Sequence, residues 1–423
     1  MNKYLRNLNK IEFAVTYACT GRCKHCSEGD HSYCIDRIDP DIAADAVRKI
    51  ASSYEIKTVM AFGGEPLLHP DAVFSIMNAA KQMNIPKRQI ITNGFFSNDA
   101  AKISGVANTL AACGVNDLLL SVDAFHQETI PLDVVKIFAK SVKDLGVPIR
   151  LQPAWLVSPT DNNPYNRRTE EILDSFREME IYANDGNVIF PEGNALKYLS
   201  EYFTQTLPEN PYVEDPCDVR CLSFSPDGDI LGGNVYERDI MDIVENYAPK
   251  RVVVLPYDAA WRSAFEKIKA EIESAIGNLI LGIEHIGSTS VEGMSAKPII
   301  DIDVVINDYS VFPAVVDALK SIGYIHEGDL GIKDREAFKY TSKPHLALHH
   351  LYVCPKDSKE LHRHIAFRDF LRANADAVQK YSKVKETAAE MFPYDINKYI
   401  EYKSPCIEEL YRMIRSKEDC YEK

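Results

Sequence analysis

The chain has 423 residues, of which 46% are hydrophobic and 26% charged, and its formal net charge is -14. This length favours two domains, and no apolar run reaches the roughly 18 residues that a membrane-spanning helix needs. The acidic balance argues against extended nucleic acid as a partner, because binding along a phosphate backbone requires a basic stripe. The N-terminus lacks the apolar stretch of a secretory signal, so we expect a cytoplasmic protein with reduced cysteines.

Up to about residue 245, short β-type runs alternate with amphipathic helical stretches. The β-type runs are IEFAVTYAC, IKTVMAF, RQIITNG, DLLLSVD, IRLQPAW and NVIF, and a helical stretch follows each of the first four. This alternation predicts a parallel sheet covered by helices, an α/β fold with about six units, enough for a partial (β/α)6 barrel. Functional residues then belong at the carboxyl ends of the strands.

The pattern changes near residue 249, which predicts two domains, 1–248 and 249–423. The second part begins with the helical stretch VVVLPYDAAWRSAFEKIKAEIESAIG and continues with the strands LILGIEHI and PIIDIDVVI. A helix, further strands that include HLALHHLYV, and a helix-rich tail from about Ser358 follow. This mixture predicts an α+β domain.

The octapeptide CTGRCKHC places Cys19, Cys23 and Cys26 directly after the first predicted strand. Three thiolates at this spacing converge if the loop wraps around a metal centre. A structural zinc site would want a fourth ligand, which His25 or His31 could supply. Three cysteines on a cubane iron–sulfur cluster would instead leave one iron open to an exogenous ligand.

At these residues the sequence resembles the radical S-adenosylmethionine (SAM) enzymes, over about residues 10–235. Their CxxxCxxC motif follows the first strand of a partial barrel, and Gly63-Gly64-Glu65-Pro66 is similar to their GGEP motif, which holds the amino group of the methionine moiety. The resemblance implies a [4Fe–4S] cluster on the three cysteines and an external one-electron reductant. Reductive cleavage of SAM would give methionine and a 5′-deoxyadenosyl radical that abstracts hydrogen from a small-molecule or peptide substrate.

Further polar residues stand near the ends of predicted strands. They are Asn93 in ITNG, Ser121 and Asp123 in LLLSVD, and Gln152 in IRLQPAW. The resemblance implies contacts with the ribose and carboxylate of SAM, and ordinary loop hydrogen bonding is the alternative for each. His126 in SVDAFHQE is either a substrate contact or a loop histidine bonded to the backbone.

Cys217 and Cys221 precede a predicted hairpin turned by Pro226-Asp227-Gly228. This short C-terminal extension of the first domain looks like a reduced version of the cysteine-bearing extension of radical SAM peptide maturases. That extension carries many more cysteines, so whether this pair binds an auxiliary cluster stays open.

The second domain carries Gly287-Ser288 and, after twelve intervening residues, Asp301-Ile302-Asp303 on an apolar strand. Strand alternation puts Asp301 and Asp303 on one face, where two carboxylates can share Mg²⁺ and orient a nucleoside triphosphate for catalysis. The Gly-Ser turn would hold phosphate oxygens through its N–H groups. This constellation resembles the nucleotidyltransferase superfamily.

Within that superfamily, IEHIGSTSVEGMSAKPIIDIDV and FRDFLRANADAVQKYSKVK are similar to the GrpB family, a nucleotidyltransferase-like domain, over nearly all of residues 250–415. The resemblance and charge make Lys297, Arg368 and Arg372 candidate phosphate ligands, with surface ion pairs as the alternative for the two arginines. A third carboxylate is missing from HLALHHLYV. That strand offers three histidines instead, His345, His349 and His350, one of which could replace it.

Three hypotheses follow from these motifs. The first is a radical SAM enzyme whose second domain binds or transfers a nucleotide. The second keeps the radical chemistry and makes the second domain a recognition module. The third is a zinc-stabilised nucleotide-binding regulatory protein without redox chemistry.

Overall fold

The computed structural model describes residues 2–29, 37–203, 210–340 and 342–421, with side chains described as far as residue 415. The chain divides into two compact units, Met1–Pro249 and Lys250–Lys423. Each unit has its own hydrophobic core. None of the described helices is long and apolar enough to cross a membrane.

The first unit alternates strands and helices. Its strands are β1 (Lys10–Ala14), β2 (Thr58–Phe62), β3 (Lys87–Thr92), β4 (Asp117–Ser121), β5 (Ile149–Gln152), β6 (Ala154–Trp155), β7 (Asn187–Val188), β8 (Cys221–Phe224), β9 (Asp229–Ile230) and β10 (Gly233–Asn234). Its helices are α1 (Pro40–Ser53), α2 (Pro70–Gln82), α3 (Ala100–Ala112), α4 (Leu132–Asp144), α5 (Pro164–Asp174), α6 (Asn194–Tyr198) and α7 (Ile240–Asn246).

Six of these strands form one parallel sheet in the order β5-β4-β3-β2-β1-β8. Leu118, Leu119 and Leu120 of β4 are all buried, which is typical of a parallel sheet that is covered on both faces. The predicted α/β fold with a parallel sheet is confirmed.

The identity of the sixth strand was predicted wrongly. Asn187–Val188 in NVIF pairs with Ala154–Trp155 in a separate two-stranded sheet. The sixth strand is Cys221–Phe224, which pairs with β1 and therefore belongs to the main sheet rather than to a hairpin extension. Pro226-Asp227-Gly228 forms the turn after it, where the N–H of Gly228 donates to the carbonyl of Ser225 at 3.1 Å.

Helix starts follow local capping chemistry. The carboxylate of Asp39 accepts from the N–H groups of Asp41 and Ile42 at 2.9 and 3.0 Å, and Pro40 occupies the first helical position of α1. The buried face of α1 includes Ala43, Val47 and Ile50, which recur at helical spacing.

The second unit is α+β, as predicted. Its strands are β11 (Gly282–Ile286), β12 (Ile300–Ile306), β13 (Tyr324–Gly328), β14 (Glu336–Tyr340) and β15 (His349–Pro355), and its helices are α8 (Ala260–Ile276), α9 (Phe312–Ser321), α10 (Lys359–Arg372), α11 (Ala375–Met391) and α12 (Ile396–Tyr421). The five strands form a mixed sheet in the order β11-β12-β15-β14-β13, in which β12 and β15 are parallel.

Candidate functional site

The loops that follow β1 to β4, together with the last residue of β5, carry the predicted site residues of the first unit. Because these five strands are parallel, their carboxyl ends lie along one edge of the sheet. The cysteine loop follows β1, the GGEP segment follows β2, and Asn93 follows β3. The topology therefore brings the separate motifs to the same edge.

The cysteine loop is held by neighbouring segments on more than one side. Thr20 donates to the carbonyl of Phe95 at 2.6 Å, beyond the end of β3. Lys24 forms an ion pair of 2.9 Å with Glu128, in the loop after β4. These contacts tie the loop to the ends of two other strands.

A third anchor comes from residues just before and within α6. The Asn194 side chain donates to the carbonyl of Cys23 at 3.2 Å, and its backbone N–H donates to the carbonyl of Cys26 at 2.8 Å. A Cβ on Gly193 would stand 2.2 Å from the carbonyl oxygen of Ser27, so this approach requires glycine. The backbone carbonyls of Cys23 and Cys26 are thus held by a residue that comes much later in the sequence.

The thiols fit a metal cluster in their chemistry and surroundings. A Cβ on Gly21 would lie 3.3 Å from Cys23 Sγ and 3.7 Å from Cys19 Sγ, so the bare glycine keeps the space between these sulfurs open. The Asn93 amide lies 3.6 Å from Cys19 Sγ. Burial raises the pKa of the Cys19 thiol to about 11, so binding of a metal would displace a proton.

The two glycines of the GGEP segment lie against the start of the cysteine loop. A Cβ on Gly63 would stand 2.4 Å from the carbonyl oxygen of Thr16, and one on Gly64 would stand 2.3 Å from that of Ala18. The N–H of Gly64 donates to Thr16 and that of Glu65 to Ala18, at 2.7 and 2.8 Å. These glycines therefore allow two backbones to meet, which sets the position of the cysteine loop.

Glu65 is fully buried and links the GGEP segment to the end of β3. Its carboxylate accepts from the N–H of Leu67 at 2.9 Å, the hydroxyl of Thr92 at 2.7 Å and the N–H of Asn93 at 2.8 Å. Burial raises its pKa to about 7. Pro66, also buried, begins the short 3-10 turn that follows.

Asp123 is fully buried and positions His126. Its carboxylate accepts from the N–H groups of Phe125, His126 and Ala154 and lies 2.7 Å from His126 Nδ1. Although burial opposes its ionisation, the charge and hydrogen bond of His126 hold the pKa of Asp123 at about 2. Burial likewise opposes the charge on His126, but Asp123 raises the pKa of the imidazole.

Ser121 and Gln152 are paired in register at the ends of β4 and β5. Gln152 accepts a hydrogen bond from the Asn184 side chain, so it has the internal partner that the alternative interpretation expected. Both residues are partly buried at the same sheet edge as Asn93.

A second metal-ligating group overlaps the cysteine triplet. Among the described residues, the ligand atoms of Cys23, His25 and His126 lie within 4.8 Å of one another, whereas the three cysteine sulfurs do not form such a group. His25 Nδ1 is buried and without a partner. The zinc interpretation also named His31, which lies outside the described residues.

Cys217 and Cys221 are both partly buried, and Cys221 begins β8. Burial raises the pKa of the Cys221 thiol. Neither cysteine belongs to a group of three metal-ligating side chains in the part of the chain that the structure describes.

In the second unit, the Gly-Ser turn lies directly against the first aspartate. Gly287 has φ +69°, and a Cβ there would stand 2.1 Å from Asp301 Oδ2, so both the backbone angle and the close approach require glycine. Asp301 Oδ1 lies 2.9 Å from His350 Nδ1, which β15 places opposite it in register. Gly287, Asp301 and His350, which are far apart in sequence, therefore lie together in one site.

Asp303 lies on the same strand face as Asp301 and is fully buried. Its Oδ2 lies 2.8 Å from Nδ1 of His364 on α10, while its Oδ1 is buried without a partner. Burial raises the pKa of this carboxyl group. An unpartnered buried carboxylate oxygen fits a cation ligand, although no third metal-ligating side chain joins the two aspartates within 4.8 Å among the described residues.

The three predicted basic residues of the second unit contact other residues of the same unit. Arg368 pairs with Glu284 at 2.6 Å and with Asp369 at 2.7 Å, which is the ion-pair alternative. Arg372 donates to the carbonyl of Ser290 at 2.8 and 3.1 Å. Lys297 lies over the ring of Tyr399, 5.9 Å from its centroid.

Two of the three predicted histidines lie elsewhere. His345 precedes β15 and pairs with Glu271 at 2.6 Å. His349 is buried, with its Nε2 2.7 Å from the hydroxyl of Tyr324. His350 alone of the three contacts an aspartate of the DxD motif.

Sequence reasoning missed four residues around these sites. They are Asn194 in the first unit and His364, Lys385 and Lys403 in the second. His364 and the two lysines lie on helices whose charged residues look like ordinary solvent-facing positions in sequence. A lysine at the centre of an apolar helical face, as in VQKYSKVKETAA, was the one available signal.

Two family profiles match the chain. The profile "Radical SAM superfamily" matches residues 13–148, and the profile "GrpB protein" matches residues 251–413. The first profile includes the cysteine triplet and the GGEP segment, and the second includes the Gly-Ser turn and the two aspartates.

Known proteins are similar to one unit or the other. The glutamate-rich protein GrpB of Alkalihalophilus pseudofirmus is 33% identical over 38% of this chain and 93% of its own length. The protein YqkA of Bacillus subtilis is 30% identical over 40% of this chain, which spans 48% of the length of YqkA. A probable GTP 3′,8-cyclase of Saccharolobus islandicus is 27% identical over 48% of this chain and 67% of its own length.

Two solved structures are similar to parts of this chain. GrpB from Enterococcus faecalis is 30% identical and covers 39% of this chain and 98% of its own, with a TM-score of 0.36. The protein anSMEcpe with bound AdoMet is 13% identical and covers 56% of this chain and 80% of its own, also with a TM-score of 0.36.

Proposed function

Since this chain belongs to the GrpB family in its second unit and to the radical SAM superfamily in its first, we propose that it cleaves SAM reductively to abstract hydrogen from a substrate and binds or transfers a nucleotide. The chain is an enzyme of the radical SAM superfamily. The nucleotide role of its GrpB unit is the part of this proposal that goes beyond that assignment.

Cys19, Cys23 and Cys26 would hold the [4Fe–4S] cluster. When bound, such a cluster supplies the single electron that reductive cleavage of SAM requires. Each thiolate of a cubane binds a different iron, so the three sulfurs need not crowd within 4.8 Å of one another. The observation that carries the proposal is the fixed cysteine loop, which hydrogen bonds and an ion pair tie to the loops after β3 and β4 and to α6.

The polar residues along the sheet edge would bind and orient SAM. We assign direct contact to the segment Gly63–Pro66 and to Asn93, Ser121 and Gln152, and a positioning role to the buried Asp123. Asn93 is the best placed of the side chains, because its amide lies 3.6 Å from Cys19 Sγ while its backbone is fixed by Glu65. Asp123 acts through His126, whose ring it holds next to Cys23.

The substrate is a small molecule or a peptide, and an external one-electron reductant completes the reaction. The described cysteines are all free thiols, which suits a reducing compartment such as the cytoplasm.

Anaerobic cleavage of SAM tests the first half of this proposal. Purified protein with dithionite should release 5′-deoxyadenosine, and the Cys19→Ala/Cys23→Ala/Cys26→Ala variant should release none while its far-UV circular dichroism stays that of the wild type. The single variant Cys113→Ala, at a buried cysteine of the same unit, is the matched control and should retain cleavage. If the triple variant released as much 5′-deoxyadenosine as the wild type, these cysteines would be excluded as ligands of the cluster.

For the GrpB unit, we propose a nucleoside triphosphate held with Mg²⁺ at Asp301 and Asp303 and with its phosphates at Gly287 and Ser288. The unpartnered Oδ1 of Asp303 and the contact between Gly287 and Asp301 support this proposal. His350 and His364 would hold the two carboxylates in place.

Pyrophosphate release from nucleoside triphosphates with Mg²⁺ separates transfer from binding. Asp301→Asn should abolish release, and Asp317→Asn, at an exposed position on α9, should leave it unchanged. If the wild type binds nucleotide without releasing pyrophosphate, the unit is a binding module.

A second candidate function is a zinc-stabilised nucleotide-binding regulator without redox chemistry. The proximity of Cys23, His25 and His126, together with the unpartnered Nδ1 of His25, favours it. Metal analysis decides, because this candidate requires zinc and no iron in protein purified without air.

A further inference from the structure

Three lysines of the second unit interact electrostatically with one another, and one of them contacts the Gly-Ser turn. Lys297 follows the turn in sequence, Lys385 lies on α11 and Lys403 lies on α12. Lys385 is 2% exposed and donates from Nζ to the hydroxyl of Ser288 at 2.8 Å. The amine of a buried lysine is therefore in direct contact with the turn.

Of these lysines, Lys385 is buried, whereas Lys297 and Lys403 are half-buried. Lys380, on the same helix as Lys385, pairs with Glu409 at 2.6 Å. By contrast, Lys297, Lys385 and Lys403 form no ion pair with a carboxylate among the residues that the structure describes. A buried lysine without a carboxylate partner, with two half-buried lysines in electrostatic range, favours an anionic ligand at this place.

Two buried tyrosines fix the positions of the ammonium groups. Lys297 and Lys403 face the ring of Tyr399, at 5.9 and 5.2 Å from its centroid, and Lys385 lies 4.4 Å from the centroid of Tyr381. Tyr399 and Tyr381 are 1% and 4% exposed. The ring faces stabilise cations without neutralising them, which leaves the charges available to a ligand.

The lysines also repel one another. Burial, followed by the charge of Lys403, lowers the pKa of Lys385 to about 7, and burial, followed by the charge of Lys297, lowers the pKa of Lys403. The negative charge of Asp301 raises the pKa of both lysines, and that of Glu386 raises the pKa of Lys385. A bound anion of high charge would offset this repulsion.

We propose that Lys297, Lys385, Lys403 and the hydroxyl of Ser288 form a binding site for the terminal phosphates of a polyphosphate ligand. The inference rests on the nucleotide part of the proposed function and extends it, because it names the part of the ligand that these residues recognise. Arg368 and Arg372, which the sequence favoured for this role, bind Glu284, Asp369 and the carbonyl of Ser290 instead.

Calorimetric titration of the full chain tests the site with two probes, inorganic tripolyphosphate and ATP with Mg²⁺. Lys385→Met and Lys403→Met should each weaken binding of both probes about tenfold or more, since a hydrogen bond to a charged group contributes roughly 1.5–3 kcal/mol. Lys383→Met is the matched control, because Lys383 is exposed on the same helix. It should bind both probes as the wild type does.

The possible outcomes separate this inference from the nucleotide proposal. If ATP binds equally to the wild type and to both lysine variants, the lysine site is wrong and nucleotide binding stands. If tripolyphosphate binds in a lysine-dependent way and ATP does not bind, the lysine site stands and the nucleotide proposal fails. If neither probe binds, both fail. Should Lys385→Met not fold, Lys403→Met carries the same test at a less buried position.

Discussion

The geometry of both candidate sites depends on residues whose side chain, or lack of one, sets a contact of a few ångströms. Gly287 leaves room for Asp301, and Gly63 and Gly64 let the GGEP backbone reach the start of the cysteine loop. Glu65 then joins that segment to Asn93. These internal backbone and carboxylate contacts position the candidate ligand groups.

Gly287→Ala should damage the second site more than its backbone strain alone explains. Gly293, with φ +78°, is the control because a Cβ there would meet nothing within 4 Å, whereas one on Gly287 would meet Asp301 Oδ2. Each alanine should cost about 1–3 kcal/mol of backbone strain, because both glycines have a positive φ. Gly287→Ala should cost about 1–3 kcal/mol more from overpacking, measured by urea unfolding, and should also weaken binding of ATP with Mg²⁺.

Equal unfolding free energies for Gly287→Ala and Gly293→Ala would contradict this contact. Unchanged nucleotide binding in Gly287→Ala would separate the turn from the binding site.

Residue patterns in the sequence located the motifs but not all of their partners. The cysteine triplet and the GS and DxD pairs are local in sequence, and the strand ends that carry them were recognisable from alternation. Lys385 and Lys403 were missed because the sequence does not reveal that a helical lysine lies under tyrosines and beside Ser288. His364 was missed because it meets Asp303 across 61 positions of sequence.

At the scale of elements, the first five strands of the main sheet follow directly from the β/α alternation. The sixth does not, because Cys221–Phe224 pairs with β1, which is distant in sequence, and the Pro-Asp-Gly turn after it is typical of a hairpin. NVIF has a strand-like composition but pairs over two residues. Local pattern determines whether a segment is extended, whereas its partner depends on long-range packing.

Asp117 joins three strands of this sheet at its amino edge. Its carboxylate contacts Lys87 at 2.8 Å and Gln89 at 2.6 Å on β3, and Arg150 at 2.5 Å on β5. Burial opposes its ionisation, but the hydrogen bonds and charges of Lys87 and Arg150 outweigh burial and lower its pKa.

Asp117→Asn should therefore destabilise the first unit in a pH-dependent way. A lowered pKa in the folded state contributes stability above the unfolded value of 3.8, and this contribution is lost as the pH falls below it. We expect a loss of about 1–3 kcal/mol at pH 7 that shrinks as the pH falls below about 4, measured by urea unfolding at several pH values. A loss that is independent of pH would show that the charge is not what matters.

The α6 anchor should control retention of the metal centre. Asn194→Ala removes the side-chain hydrogen bond to the carbonyl of Cys23, a loss of about 1 kcal/mol or roughly fivefold in an equilibrium constant. The variant should lose iron several-fold faster than the wild type when a chelator is added, as followed by visible absorbance without air.

Asn108→Ala is the control, because Asn108 is exposed and its side chain bonds within its own helix. If Asn194→Ala and Asn108→Ala lose iron at the same rate, the anchor has no such role.

At the scale of the whole molecule, two compact units carry two separate candidate sites in one acidic chain. The sites have no residue in common, so each can be abolished by substitutions that leave the other's residues intact. The triple cysteine variant should keep its nucleotide affinity, and this makes it a reference for the protein with only the second site working.

We expect Cys19, Cys23 and Cys26 to hold a cubane cluster with one iron open to SAM. The decisive experiment is iron and sulfide analysis of protein reconstituted without air, combined with electron paramagnetic resonance of the reduced sample with and without SAM. We expect about four irons and four sulfides per chain and a spectrum that changes when SAM is added. Colourless protein that takes up one zinc and no iron would contradict it.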